Sequence, residues 1–264
     1  IKNYIIAQES INQKNSVQFL KTHSYLFNID NNHFTDLKNT LGAIYIVRDP
    51  RNVVTSYAHH ASISVSESAN QLINSIHLGG NLLSKKTSDR TKVYLGSWNS
   101  NFNSWKSFKE PGKYLLIKYE DLINNKRQTF LKILEFIFKL QKASFVIDEL
   151  KLENTLISTS FENMQILEKE KGFIESKIDL KTGKKIRFFN LGAKNRWEKL
   201  LDINVRKKIE KQSAFPTHVA HEDNGNEIQC KVQTDFAIVT VPPLELGVAV
   251  VMAESFVKVR KLGL

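Results

Sequence analysis

The chain carries an arginine where an apolar strand turns directly into a helix, in the run Tyr45-Ile-Val-Arg-Asp-Pro-Arg-Asn-Val-Val-Thr-Ser-Tyr57. That junction dictates much of what can surround it. Ala43 to Val47 is a short continuous apolar segment ending at Arg48, the pattern of a parallel strand covered on both faces. A helix is expected to follow at once over Asp49 to Ile63, with Asp49 as its cap and Pro50 at its first position. Val53, Val54 and Tyr57 supply its apolar spacing. A guanidinium at such a junction, beside free backbone N–H groups and the positive end of the helix dipole, suits a phosphate or sulfate. The same arginine has a plainer use as the ion-pair partner of a neighbouring carboxylate, and spacing alone does not choose between the two.

The elements alternate along the chain. Val17 to Leu20, Ala43 to Val47 and Tyr114 to Lys118 read as strands. Ser66 to Leu83 and Val93 to Phe108 read as helices, and Glu120 to Leu140 as one long amphipathic helix with Leu122, Phe130, Leu131, Ile133 and Phe136 apolar. Strands followed by long helices predict an α/β fold, a parallel sheet flanked by helices. No internal repeat is present.

With 264 residues, 41% hydrophobic and 10% aromatic, the chain can bury a large core, and one main globular domain is expected. Cys230 is the only cysteine, which excludes a disulfide framework and a cysteine-rich zinc site and favours a reducing compartment such as the cytoplasm. The first residues contain no apolar signal core. The longest apolar region, Ala237 to Ala253, is interrupted by Pro242, Pro243 and Glu245, so no membrane span is expected. The net charge of +11 points to anionic partners. Its distribution argues against nucleic acid, because the lysines alternate with glutamates, as in Leu167 to Gly172 and Arg206 to Lys211, a texture read as solvated helix face.

Composition breaks near Ser213. Residues 213–264 hold 4 basic and 6 acidic residues (net −2), against 34 and 21 (net +13) in residues 1–212. Phe236 to Pro243 and Gly247 to Val251 read as two β-type runs around a Pro-Pro turn. The expectation is therefore a main domain over 1–212 and an atypical tail or insertion over 213–264. His218, His221, Glu222 and Asp223 are read as an incidental cluster and no metal is expected.

Six segments together resemble one family, the sulfotransferases that use 3′-phosphoadenosine 5′-phosphosulfate (PAPS). Phe19-Leu-Lys-Thr-His23 is similar to the family strand ending in Lys-Thr-His. Arg48 and Ser56 match the pair that grips the 3′-phosphate of the co-substrate. Tyr94-Leu-Gly-Ser-Trp98 resembles the family's Tyr-Gly-Ser-Trp with one leucine added, and Leu115-Leu-Ile-Lys-Tyr119 resembles the strand that delivers a tyrosine to the adenine. Thr159-Ser-Phe161 is similar to the adenine-contacting loop, and Arg187-Phe-Phe-Asn-Leu-Gly192, with Trp197 after it, to the loop that closes over the 3′-phosphate. The resemblance runs from about Val17 to Lys211 and implies a P-loop-like sulfotransferase fold.

The pattern also departs from the family. Where the late loop usually presents Arg-Lys-Gly, this chain has Asn190-Leu191-Gly192, so a backbone contact from Gly192 and a weaker one from Asn190 are implied. The Pro-Lys-Ser-Gly-Thr-Thr type phosphate loop is not found in the sequence, and the expectation is a member lacking its first strand and loop.

What the resemblance implies chemically is sulfuryl transfer from PAPS to a hydroxyl or amine of a small-molecule or glycan acceptor, with His23 as general base and Lys21 near the sulfuryl oxygens. No metal is required. The plainer readings are a structural histidine, a solvated lysine, and core aromatics at Tyr119 and Phe161; core packing is the preferred role for Trp98 and Trp197. Two alternative functions stand beside the enzyme: a nucleotide-binding module of the same fold without turnover, and a basic protein binding polyanions nonspecifically. Acceptor identity and oligomeric state are not encoded in any readable motif.

Overall fold

The computed structural model describes residues 2–12, 19–74, 76–78 (backbone only), 93–105, 111–179 and 182–212. Its centre is a parallel pair, β3 (Ala43–Val47) and β6 (Tyr114–Lys118), in register from Ala43 opposite Tyr114 to Val47 opposite Lys118. Ahead of it lie α1 (Tyr4–Asn12) and a small antiparallel hairpin, β1 (Asn28–Ile29) and β2 (Asn32–His33).

Alternation along the strands sorts side chains to two faces. Ile44, Ile46, Leu115 and Ile117 pack with Phe130, Ile133, Leu134 and Ile137 of α6 (Lys126–Leu140) and with Leu152 of α7 (Glu149–Ser158). Ala43, Tyr45 and Val47 face Phe27, Phe34 and Trp105, the last from α4 (Trp98–Trp105). All five β3 residues are buried for this reason. Each fully buried aliphatic or phenyl side chain contributes about 1.5–3 kcal/mol, so the two faces outweigh any single surface contact. The molecule is thus a parallel sheet flanked by helices, as its alternating elements imply.

The helix after β3 is α2 (Pro50–Ala61), with Asp49 accepting a bond from the Arg51 N–H at 2.9 Å and Pro50 at its start. It ends at Ser62, in the left-handed conformation at φ 54°, whose backbone N–H donates to the Ala58 and His59 carbonyls. α3 (Val65–Ile73) packs on α2, and α10 (Ile203–Gln212) seals the pair through Val54, Ala69 and Ile209.

Several sequence expectations need correction. The helix expected over Ser66 to Leu83 stops at Ile73, and residues 76–78 form β4 (Ile76–Leu78), antiparallel to β5 (Val93–Gly96). The helix expected over Val93 to Phe108 therefore begins only at Trp98. Gly96, at φ 66°, turns the chain out of the strand, and the Ser97 hydroxyl accepts from the Ser100 N–H at 3.0 Å to start α4. The long helix over Glu120 to Leu140 is two, α5 (Tyr119–Asn124) and α6, separated at Asn125 with φ −128° and ψ 46°. Phe19 and Leu20 lie in no strand, while residues 17 and 18 fall outside the described part. So do Cys230, His218, His221 and the whole of 213–264.

After α7 come α8 (Phe161–Lys171), a short hairpin of β7 (Lys177–Ile178) and β8 (Lys185–Ile186), a 3-10 turn at Gly192–Lys194, α9 (Trp197–Leu200) and α10. Among the described residues no helix is long and apolar enough to cross a membrane, and no group of three or more His, Cys, Asp or Glu converges to hold a metal ion.

Candidate active site

The register of the central strands explains the first group of residues. Because Val47 lies opposite Lys118, the next residue in each strand, Arg48 and Tyr119, emerges at the same carboxyl edge. Arg48 is 5% exposed, its guanidinium carbon sits 4.3 Å from the centre of the Tyr119 ring, and one of its Nη groups donates to the Gly192 carbonyl at 3.4 Å. The carboxylate beside it, Asp49, is engaged by Arg51 at 2.6 Å. Burial pushes Glu120 upward in pKa, against the opposing pull of its own backbone N–H and the Arg48 charge. A buried cation at the carboxyl end of parallel strands, next to a helix start, is an arrangement for an anion.

Gly192 closes the group from the other side. Its φ is 54°, and an added Cβ would lie 2.7 Å from the Phe161 ring. Only glycine satisfies both conditions. Phe161 opens α8 behind Ser160, which caps it by accepting from the Asn163 N–H at 3.2 Å. Thr159 is buried, and its hydroxyl donates to the Thr155 carbonyl at 2.6 Å. The Asn190 carbonyl accepts from Gln165 Nε2 at 3.0 Å. Ser56 lies half-buried on α2, two turns beyond Arg48.

α2 also fastens the loop around Gly192 through residues that sequence reading missed. Asn195, 5% exposed, accepts from the Thr55 hydroxyl at 2.7 Å and donates to the Asn52 carbonyl at 3.0 Å, and Asn52 Oδ1 accepts from the Trp197 N–H at 2.9 Å. These partners are 140 or more residues apart, so no local pattern marks them. Trp197 is not a core residue: it is half-buried, with the guanidinium carbons of Arg51 and Arg206 at 4.0 and 4.7 Å from its ring centre. Trp98 does pack, stacked on Phe102 at 5.3 Å.

The second group gathers at the other end of α2. The His23 carbonyl accepts from Asn101 Nδ2 at 3.1 Å, and the same amide donates to Leu95 while its oxygen accepts from the Tyr45 hydroxyl. Trp105 Nε1 donates to the Ser24 carbonyl at 3.1 Å. Helix α4 thereby fixes the backbone that carries His23. Lys21 pairs with Glu175 at 2.5 Å, and His59 Nε2 meets the Arg187 carbonyl at 3.3 Å. His60 is buried with its ring edge-on to Phe188 at 5.9 Å. Arg48 thus precedes α2 and His59 and His60 stand in its last turn, at opposite ends of a 12-residue helix about 18 Å long.

Burial first, then the charges of Lys177, His59, His23 and Lys21, pushes His60 down from 6.5 to about 4. The fold keeps this imidazole neutral, so between pH 6.5 and about 4 the unfolded chain binds the extra proton. Stability should fall as pH falls through that window and should not depend on His60 above it. At about 1.4 kcal/mol per unit the full effect approaches roughly 3 kcal/mol. Unfolding free energies measured from pH 4 to 7 for wild type and His60→Gln should converge in slope above 6.5 and separate below it; parallel curves would refute the assignment.

The family model described as Sulfotransferase domain matches residues 2–217. The chain belongs to the sulfotransferase domain family. A curated relative, the 3-alpha-hydroxysteroid sulfotransferase of Cavia porcellus, is 32% identical over 102 residues, which is 38% of this chain and 32% of the relative. Among solved structures, mouse sulfotransferase SULT7A1 complexed with PAP is similar with a TM-score of 0.42 and 17% identity over 65% of this chain and 56% of that one. The match thus spans about a third of the curated relative and little more than half of the solved protein.

Proposed function

We propose that this sulfotransferase-family chain transfers a sulfuryl group from PAPS to a hydroxyl or amine acceptor, small molecule or glycan, in a cytoplasmic setting. The observation that carries the reading is the buried Arg48 held between the Tyr119 ring and the Gly192 carbonyl at the carboxyl edge of the parallel strands. The residues present suit a nucleotide bearing a 3′-phosphate: Arg48, Ser56 and the Asn190–Gly192 turn for the phosphate, and Tyr119, Thr159 and Phe161 for the adenine. Glycine at 192 lets the Phe161 ring pack directly against the loop backbone, which a side chain there would prevent.

The co-substrate supplies the sulfuryl group, whose bond to the leaving phosphate breaks as a bond to the acceptor oxygen or nitrogen forms. His23 takes the proton that the acceptor gives up. Lys21 exchanges Glu175 for the sulfuryl oxygens as their charge grows. Positioning and charge stabilisation account for the catalysis, by analogy with phosphoryl transfer. The Lys21–Glu175 pair is also the observation that favours the second reading, a nucleotide-binding module without turnover, since there the lysine stays committed to the carboxylate. Assay of labelled sulfate transfer from PAPS to phenolic, alcoholic and amine acceptors separates the two. Transfer supports the enzyme, and binding of 3′-phosphoadenosine 5′-phosphate (PAP) without transfer supports the module.

A further inference from the structure

We infer that Glu168 is a positioning residue for the phosphate loop, an inference that rests on the nucleotide reading above. Glu168 stands in the Leu167 to Gly172 run whose lysine and glutamate texture reads as solvated, yet it is 2% exposed. Its carboxylate accepts from the Phe188 N–H at 2.7 Å, from the Phe189 N–H at 3.0 Å and from the Ser176 hydroxyl. A buried carboxylate is retained only where such donors replace its water. Here every donor comes from one stretch, the hairpin and the turn leading to Gly192.

The other residues on the same face of α8 act on the same stretch. Phe161 lies against Gly192, Gln165 donates to the Phe189 and Asn190 carbonyls at 2.9 and 3.0 Å, and Glu168 takes the preceding N–H groups. Positions 161, 165 and 168 follow helical spacing, so α8 is a template along which residues 188–192 are laid in register. A shift of that turn would carry the Gly192 carbonyl away from Arg48, to which it is joined at 3.4 Å. Glu168 touches none of the groups assigned to substrate. It sets where the loop stands, and the Ser176 contact ties the β7–β8 hairpin, with the Glu175 that pairs Lys21, to the same point.

Glu168→Gln tests this with little change in volume. A glutamine has one oxygen and one NH2, so one of the two backbone N–H groups must face another donor. Calorimetry with PAP and with adenosine 5′-phosphate should show PAP affinity reduced about tenfold, the equivalent of about 1.4 kcal/mol, with the other nucleotide changed less than about twofold. Hydrogen exchange at amides 188–195 of the nucleotide-free chain should rise at the same time. An unchanged ratio of the two affinities, or an equal fall in both, would overturn the inference, the latter marking a merely structural residue. If wild type shows no preference for PAP, the reading of function falls by itself. Exchange rates then decide the placement role, faster exchange at 188–195 supporting it and unchanged rates ending it. Should the glutamine variant not fold, Glu168→Asp carries the same comparison, because it keeps the charge but withdraws it by one methylene.

Discussion

Arg48→Ala is expected to weaken PAP binding about a hundredfold while leaving adenosine 5′-phosphate within a few fold. Hydrogen bonds to charged groups are worth about 1.5–3 kcal/mol each, and each 1.4 kcal/mol is about tenfold in affinity, so a guanidinium gripping one phosphate through two bonds reaches that size. Burial raises the effect, because at 5% exposure water cannot replace the lost contacts. Arg48→Lys separates charge from geometry. A lysine keeps the positive charge but neither the fork of donors nor the planar group lying on Tyr119 at 4.3 Å, and should recover only part of the affinity. Full recovery would show that charge alone matters at this position.

The second large effect is on turnover. His23→Ala should reduce transfer by about 10²–10⁴-fold, the usual contribution of a placed general base, with PAP affinity nearly unchanged. The substitution leaves the local backbone held, since it is the His23 carbonyl that Asn101 grips and the neighbouring Ser24 carbonyl that Trp105 grips. Loss of nucleotide affinity to the same degree as in Arg48→Ala would make His23 structural. Measuring single-turnover rate and PAP affinity on the same preparation distinguishes the outcomes.

The elements that were readable in the sequence are those whose signals are local. Ala43–Val47 is an apolar run buried throughout, Tyr114–Lys118 buries Leu115 and Ile117 beside it, and Asp49-Pro50 announces α2 at its first turn. The misread stretches depend on distant partners. Residues 76–78 and 93–96 are strands because they pair with each other across the intervening chain, and the helical reading of 66–83 and 93–108 had no access to that pairing. The break at Asn125 is a single residue whose departure from helical geometry leaves the apolar period of α6 intact.

The site divides in the same way. Arg48 is legible as an anion-binding candidate from its junction and its pairing with Ser56 comes from the family resemblance, but its contact with Tyr119 follows from the register of β3 and β6, which no local spacing reveals. Asn52, Thr55, Asn101, Glu168 and Asn195 went unnoticed because each hydrogen-bonds to a segment remote in the chain. Glu168 shows the cost of reading texture alone. It stands among lysines and glutamates that face water, and only the helical phase shared with Phe161 and Gln165 turns it inward.

The central claim is that the carboxyl edge of the parallel strands recognises a 3′-phosphate. Titration calorimetry of the wild-type chain with PAP and with adenosine 5′-phosphate, at fixed salt, tests it most directly. The account predicts clearly tighter binding of PAP, by at least about tenfold for one retained charge-assisted contact. Equal affinity for the two nucleotides, falling together as salt rises, would contradict it and leave a basic surface that binds anions without regard to their shape.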